Sequence, residues 1–223
     1  MNPTKRSNHG FGDSNIRSRN TPLRGKLTSM ARRFISLSLL LAGVTLATSC
    51  SASLFKVKPV TELPPLPAAS RTADAGGVIV RVAPLLTDEE SQDLFEANLP
   101  VSGVLPVRLE LTFQSGVPIE TKRARFRLRD NQNQEWKLIS PKSAISRIMK
   151  ANGVFAYNPN SRKQFEQDFN AYAIDLKQPL TSGDPRRQGF LFFQTPDKRP
   201  VRNDLRLTLT VERLPQVATV TLN

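Results

Sequence analysis

Arg123, Arg125, Arg127 and Arg129 occupy every second position of the string KRARFRLR, with Ala124, Phe126 and Leu128 between them. On an extended strand such residues share one face and stand roughly 6.6 Å apart, at about 3.3 Å rise per residue. Four guanidinium groups in a row suit the phosphates of a lipid headgroup or lipid A, or an acidic protein. The planar fork donates two parallel hydrogen bonds to an oxyanion. The same row equally suits an exposed face balanced by Glu110, Glu120 and Glu135 on neighbouring strands.

Other chemistry is scarce. The only cysteine is Cys50 and the only histidine is His9. Downstream of Cys50 there is no imidazole and no thiol, which excludes Ser-His-Asp and Cys-His catalysis, zinc on His or Cys, and His-ligated haem from that part. Asp168 with Asp175, or Glu166 with Asp168, would supply a carboxylate pair, but no motif supports either, and they read as solvated helix charges. The expectation is a non-enzymatic chain with no cofactor and no metal site. Phe165, Phe169 and Tyr172 recur at helical spacing and read as core rather than as an exposed aromatic face. The polar-aromatic segment NGVFAYNPNSRKQ reads as structural punctuation.

Charge is unevenly placed. The chain carries 32 Lys and Arg against 19 Asp and Glu, a net of +13. Eight of the basic residues and one of the acids precede Cys50, which leaves 24 against 18 beyond it, a net of +6. A moderate excess favours anionic partners and also serves solubility, and it does not call for nucleic acid.

Residues 34–48, FISLSLLLAGVTLAT, contain no charge; Arg32 and Arg33 precede them and Ser49-Cys50 follow. A basic start, an apolar run shorter than the roughly 20 residues of a spanning helix, and small residues before a cleavage point make a secretory signal. Leu46-Ala47-Thr48-Ser49-Cys50 resembles the lipobox of bacterial lipoproteins. That resemblance implies cleavage before Cys50, acylation of its thiol and, with Ser51 next, sorting to the outer membrane of a Gram-negative envelope, facing the periplasm. Residues 1–29 read as a disordered basic extension or a misassigned start, with Met30 as the other start; 30–49 as the signal; 50–76 as a proline-rich tether; and 77–223 as the folded domain.

The domain reads as mainly β. VIVRVAP follows Gly76-Gly77 as a first strand. Thr87 and Glu90 form a capping box for a short helix that docks Leu94 and Phe95. VLPVRLELTF alternates as a half-buried strand with Arg108 and Glu110 outward, and Gln114-Ser115-Gly116 turns it into the arginine strand. Asp130-Asn131 then leads to QEWKLI, where Trp136 and Leu138 share a face, so that the three strands form a meander. Ser140-Pro141 starts a helix with Ile145, Ile148 and Met149 on one face. A second begins near Asn160-Ser161 and carries Phe165, Phe169, Tyr172 and Leu176. GFLFFQTP is apolar on both faces and hence buried. DLRLTLTVERL and VATVTL close the chain. About seven strands with two or three short helices predict an antiparallel Ig-like β-sandwich.

The motif Phe126-x-Leu128-x-Asp130 and the later Gly189-x-Leu191-x-Phe193 resemble an Ig-like β-sandwich found in bacterial lipoproteins and exported proteins, including the DUF4352-like and LEA-type-2-like groups. Phe113 stands where those groups more often have Asn. The resemblance implies an envelope setting and a binding or scaffolding role, with another envelope protein or an anionic envelope component as partner. The other expectation is a binder of anionic lipid or glycan through Arg123, Arg125, Arg127 and Arg129.

Overall fold

Two-residue periodicity makes the strands and places the core between them. The computed structural model describes residues 55–154 and 158–222. The signal segment, Cys50 and residues 51–54 lie outside the described residues, as do 155–157 of the polar-aromatic loop. In chain order the elements are β1 (Arg71–Asp74), β2 (Val78–Pro84), α1 (Asp88–Phe95), β3 (Val104–Phe113), β4 (Arg125–Asp130), β5 (Glu135–Ile139), α2 (Pro141–Ala151), α3 (Pro159–Ala171), β6 (Arg186–Gln194), β7 (Leu207–Glu212) and β8 (Ala218–Thr221). A single 3-10 turn, Val60–Glu62, precedes them.

The strands join in one antiparallel sheet of eight, ordered β1-β2-β3-β6-β5-β4-β7-β8. The sheet curls until its edges approach: β1 and β8 come into contact, and the Gln216 amide donates to the Ala75 carbonyl at 3.0 Å. The result is nearly a barrel. Its interior is aliphatic, built from Val78, Val80 and Val82 of β2, Leu105 to Leu111 at alternate positions of β3, and Leu207, Leu209 and Val211 of β7, with Trp136 among them. Each such side chain removed from water stabilises the fold by about 1.5–3 kcal/mol.

A second core lies outside the sheet. β6 sends Leu191 and Phe193 inward and Phe190 and Phe192 outward, so both of its faces are apolar, as its sequence predicts. The outward rings pack against Phe95 of α1, Phe169 of α3, and Tyr172 just past it, with centroid separations of 4.9 to 6.3 Å, and Phe165 joins them through Phe169 at 5.7 Å. Local sequence explains the helices. Thr87 and Glu90 close the expected capping box, and Ser140 accepts from the Ser143 amide ahead of Pro141. α3 starts with Asn158 as its N-cap and Pro159 at its first position. None of the helices among the described residues is long and apolar enough to cross a membrane.

The structure corrects the sequence reading at five places. β3 and β4 do not form a hairpin, because both edges of β3 are taken, by β2 and β6. β4 pairs instead with β5 and β7, and of the expected meander only the β4–β5 turn survives. Within the connection, Ile119 is buried and exchanges backbone hydrogen bonds with Leu180 at 3.0 and 2.9 Å. β3 is buried on both faces from Val104 to Leu111, so Arg108 and Glu110 are covered rather than exposed. Leu138 does not share the fate of Trp136: Trp136 is buried and Leu138 is exposed. Leu176 lies beyond α3, which ends at Ala171, and packs against the barrel interior.

The fifth correction concerns the tether expected over 50–76. Arg71–Asp74 is a strand paired with β2, and Asp74 Oδ1 accepts from the amides of Gly76 and Gly77, whose positive φ angles turn the hairpin. Upstream, the Phe55 ring lies 5.2 Å from that of Phe165, Val57 and Leu66 are buried, and the Lys58 amide donates to the Leu94 carbonyl. Proline keeps this segment extended, but apolar residues between the prolines dock it onto the domain.

β5 is short. It pairs with β4 only through Trp136 and Glu135, and with β6 through Lys137 to Ile139. Residues 173–180 run between β6 and the 119–121 segment that precedes β4. Ala173 bridges to Phe190, and the buried Thr121 hydroxyl donates to the Leu176 or Gln178 carbonyl. Gly189 permits this close approach, since a Cβ there would stand 2.5 Å from Ile174 Cα.

Candidate functional site

Two groups of arginines stand on the outer surface of the sheet, and their surroundings differ. Arg125, Arg127 and Arg129 project from β4, as their spacing requires, whereas Arg123 lies in the turn before the strand. Arg127 Nε is 3.5 Å from Glu212 of β7, and Arg129 Nη2 is 3.4 Å from Glu135 of β5. Among the described residues, no carboxylate lies within salt-bridge distance of Arg123 or Arg125. Glu135 supplies the cross-strand balance expected of it. Glu110 does not, because it lies on β3, which does not adjoin β4. Solvent-exposed pairs of this kind contribute about 0–1 kcal/mol each.

The remaining sequence candidates resolve as structure. Phe165, Phe169 and Tyr172 are buried in the aromatic core. Asp168 accepts from Gln164 at 2.9 Å, Glu166 pairs with Arg162 one turn away, and Asp175 accepts from the Lys177 amide. Each carboxylate thus has its own local partner. In the Phe126-Leu128-Asp130 motif, the two apolar residues enter the barrel interior. Asp130 Oδ1 accepts the amides of Gln132 and Gln134, and its Oδ2 accepts from Trp136 Nε1 at 3.2 Å.

The second group was not legible as a site. On the outer face of β2, β3 and β6, Glu110 is 3 % exposed and accepts from Arg81 Nη1 at 3.3 Å and from Arg186 Nε at 2.9 Å, with Arg186 Nη2 in contact as well. Register explains the meeting: Arg81 stands opposite Glu110 across β2–β3, and Arg186 is one pleat along β6. Arg108, two residues before Glu110 and so on the same face, is 4 % exposed. Its Nε and Nη2 are buried and have no hydrogen-bond acceptor among the described residues. An unpaired buried donor costs about 1–3 kcal/mol, and more when charged.

Electrostatics sharpen the contrast. Burial pushes the Arg108 guanidinium below its ordinary pKa; Glu110 opposes that shift, while Arg186 and Arg81 add to it. Tyr172, itself 1 % exposed, has its hydroxyl pushed up to about 12 by burial, with Arg108 pulling the other way. That hydroxyl donates to the Lys58 carbonyl at 2.8 Å. Three guanidiniums therefore surround one carboxylate, with Arg108 and Glu110 covered and Arg81 and Arg186 part-exposed. The only hint in the sequence was β6: a strand apolar on both faces implies that something also covers the outer side of its neighbour.

Comparison with protein-family models, curated proteins and solved structures returns no match for this chain.

Proposed function

We propose that the chain is a lipid-anchored, non-catalytic binding module of the bacterial envelope. The observation that carries this reading is the run from Arg32 to Cys50, in which a charge-free apolar stretch ends on the only cysteine. Acylation there, followed by outer-membrane sorting through Ser51, places the β domain on the periplasmic side. The absence of His and Cys beyond Cys50 supports a binding or scaffolding role over catalysis. In the same reading the sheet is an Ig-like sandwich drawn toward a barrel. Its halves, β1-β2-β3-β6 and β4-β7-β8, are joined by the short pairings of β5, which supports that ancestry.

The test is Cys50→Ser in a bacterial host. The expected result is loss of metabolic palmitate label and accumulation of unprocessed precursor; a lipoprotein signal-peptidase inhibitor on the parent chain should match the accumulation alone, with the label retained. Processing and labelling that survive the substitution would remove the proposal.

A second reading assigns anionic lipid or glycan binding to Arg123, Arg125, Arg127 and Arg129, supported by the two members without a carboxylate partner. Gln at all four positions then lowers retention on anionic liposomes or lipopolysaccharide. Unchanged retention ends that reading.

A further inference from the structure

We infer that Arg108 anchors a second, buried anion site, which takes a carboxylate or a phosphate on the outer face of β2, β3 and β6. The reasoning starts from charge. Arg81, Arg108 and Arg186 face a single carboxylate, Glu110, and its two oxygens are already engaged by Arg81 and Arg186. Nothing is left for Arg108, whose Nε and Nη2 form the edge that binds both oxygens of a carboxylate or phosphate at once. A neutral acceptor would satisfy the donors but leave the excess charge in place; an anion answers both needs.

Placement supports the same conclusion. Arg81 and Tyr172 both act electrostatically on Arg108. Each also holds one end of the irregular segment between Lys58 and Ser70: Tyr172 donates to the Lys58 carbonyl, and Arg81 Nη2 donates to Ser70 Oγ at 2.9 Å. Between these two pins the chain has only the 3-10 turn Val60–Glu62. Arg81 and Arg186, whose side chains are part-exposed, connect the site to solvent. The site depends on neither lipidation of Cys50 nor the β4 face, so it stands or falls apart from both.

The experiment follows thermal unfolding of the full-length chain in detergent, with inorganic phosphate, acetate, or sodium chloride at matched ionic strength. Phosphate or acetate at saturating concentration is expected to raise the Tm of the parent chain, and of the surface control Lys163→Gln, by roughly 5 °C beyond the chloride reference. Arg108→Gln should lose that increment. Arg108→Lys, which keeps the charge but not the two-pronged edge, should retain only part of it and serves if the Gln variant does not fold. Phosphatidylglycerol vesicles distinguish the source. An Arg108-dependent increment with free anion alone assigns a soluble ligand, and Arg108-dependent vesicle binding assigns a headgroup. If neither probe acts through Arg108, or if Arg108→Lys responds as the parent does, water is the partner of the guanidinium and the inference is overturned.

Discussion

Arg127 and Arg108 begin from the same local grammar. Each alternates with apolar residues on an antiparallel strand, and each lies near a glutamate. Yet Arg127 is part-exposed beside Glu212, while Arg108 is buried and unpaired two residues from Glu110. The strand does not make the difference. The outer face of β4 leaves Arg125 and Arg129 exposed and Arg127 half-buried, whereas β3 lies between β2 and β6 with Arg108 and Glu110 of its outer face covered. Water screens the first arginine and is withheld from the second, so one charge is nearly free of consequence and the other is costly.

That comparison can be broken most easily at Glu110. Glu110→Gln removes the one carboxylate among three guanidiniums and should destabilise the domain by about 3 kcal/mol in urea unfolding, because Arg108 loses its nearest compensating charge. A loss below about 1 kcal/mol would mean that the covered face is wetter than its burial implies. Smaller in effect is alkaline titration of Tyr172. Its hydroxyl ionises near 12 in the folded chain against about 10 when unfolded, so the unfolded chain gives up the proton first. The stabilisation is complete below pH 10 and is lost as pH rises to about 12, by about 2–3 kcal/mol over that window. Tyr172→Phe should remove this part of the slope; parallel curves for parent and variant would separate the hydroxyl from the buried cluster. The smallest change is expected on β4, where Gln at Arg125, Arg127 and Arg129 together should shift unfolding by less than about 1 kcal/mol. A larger loss would make the exposed row structural after all.

How far the sequence reaches follows the same line. Features fixed by neighbours a few residues apart were readable: the Thr87–Glu90 box, the Ser140-Pro141 start, the alternation of Leu207, Leu209 and Val211, and the double apolar face of Phe190 to Phe193. Strand partnership was not. The chain passes from β3 to β4 through residues 114–124, where Gln114-Ser115-Gly116 reads as a hairpin turn, and the claim of β2 and β6 on the edges of β3 forbids one. β1 was hidden for a related reason: Arg-Thr-Ala-Asp has little strand character alone and is held by its ladder to β2. The exposed arginines were legible as a row; the buried one was not, since a side chain's cover is set by elements distant in sequence.

The docking of Phe55 against Phe165 sets a length. Only four residues, 51–54, separate Cys50 from that contact. A fully extended chain advances at most about 3.6 Å per residue, so a lipid on Cys50, as proposed, moors the aromatic side of the domain within roughly 18 Å of its anchor. Such a mooring lets the domain swivel and tilt but not climb away. On that proposal a partner would meet it at the membrane surface, unless the docked segment around Phe55 is first peeled from the helices and its slack let out.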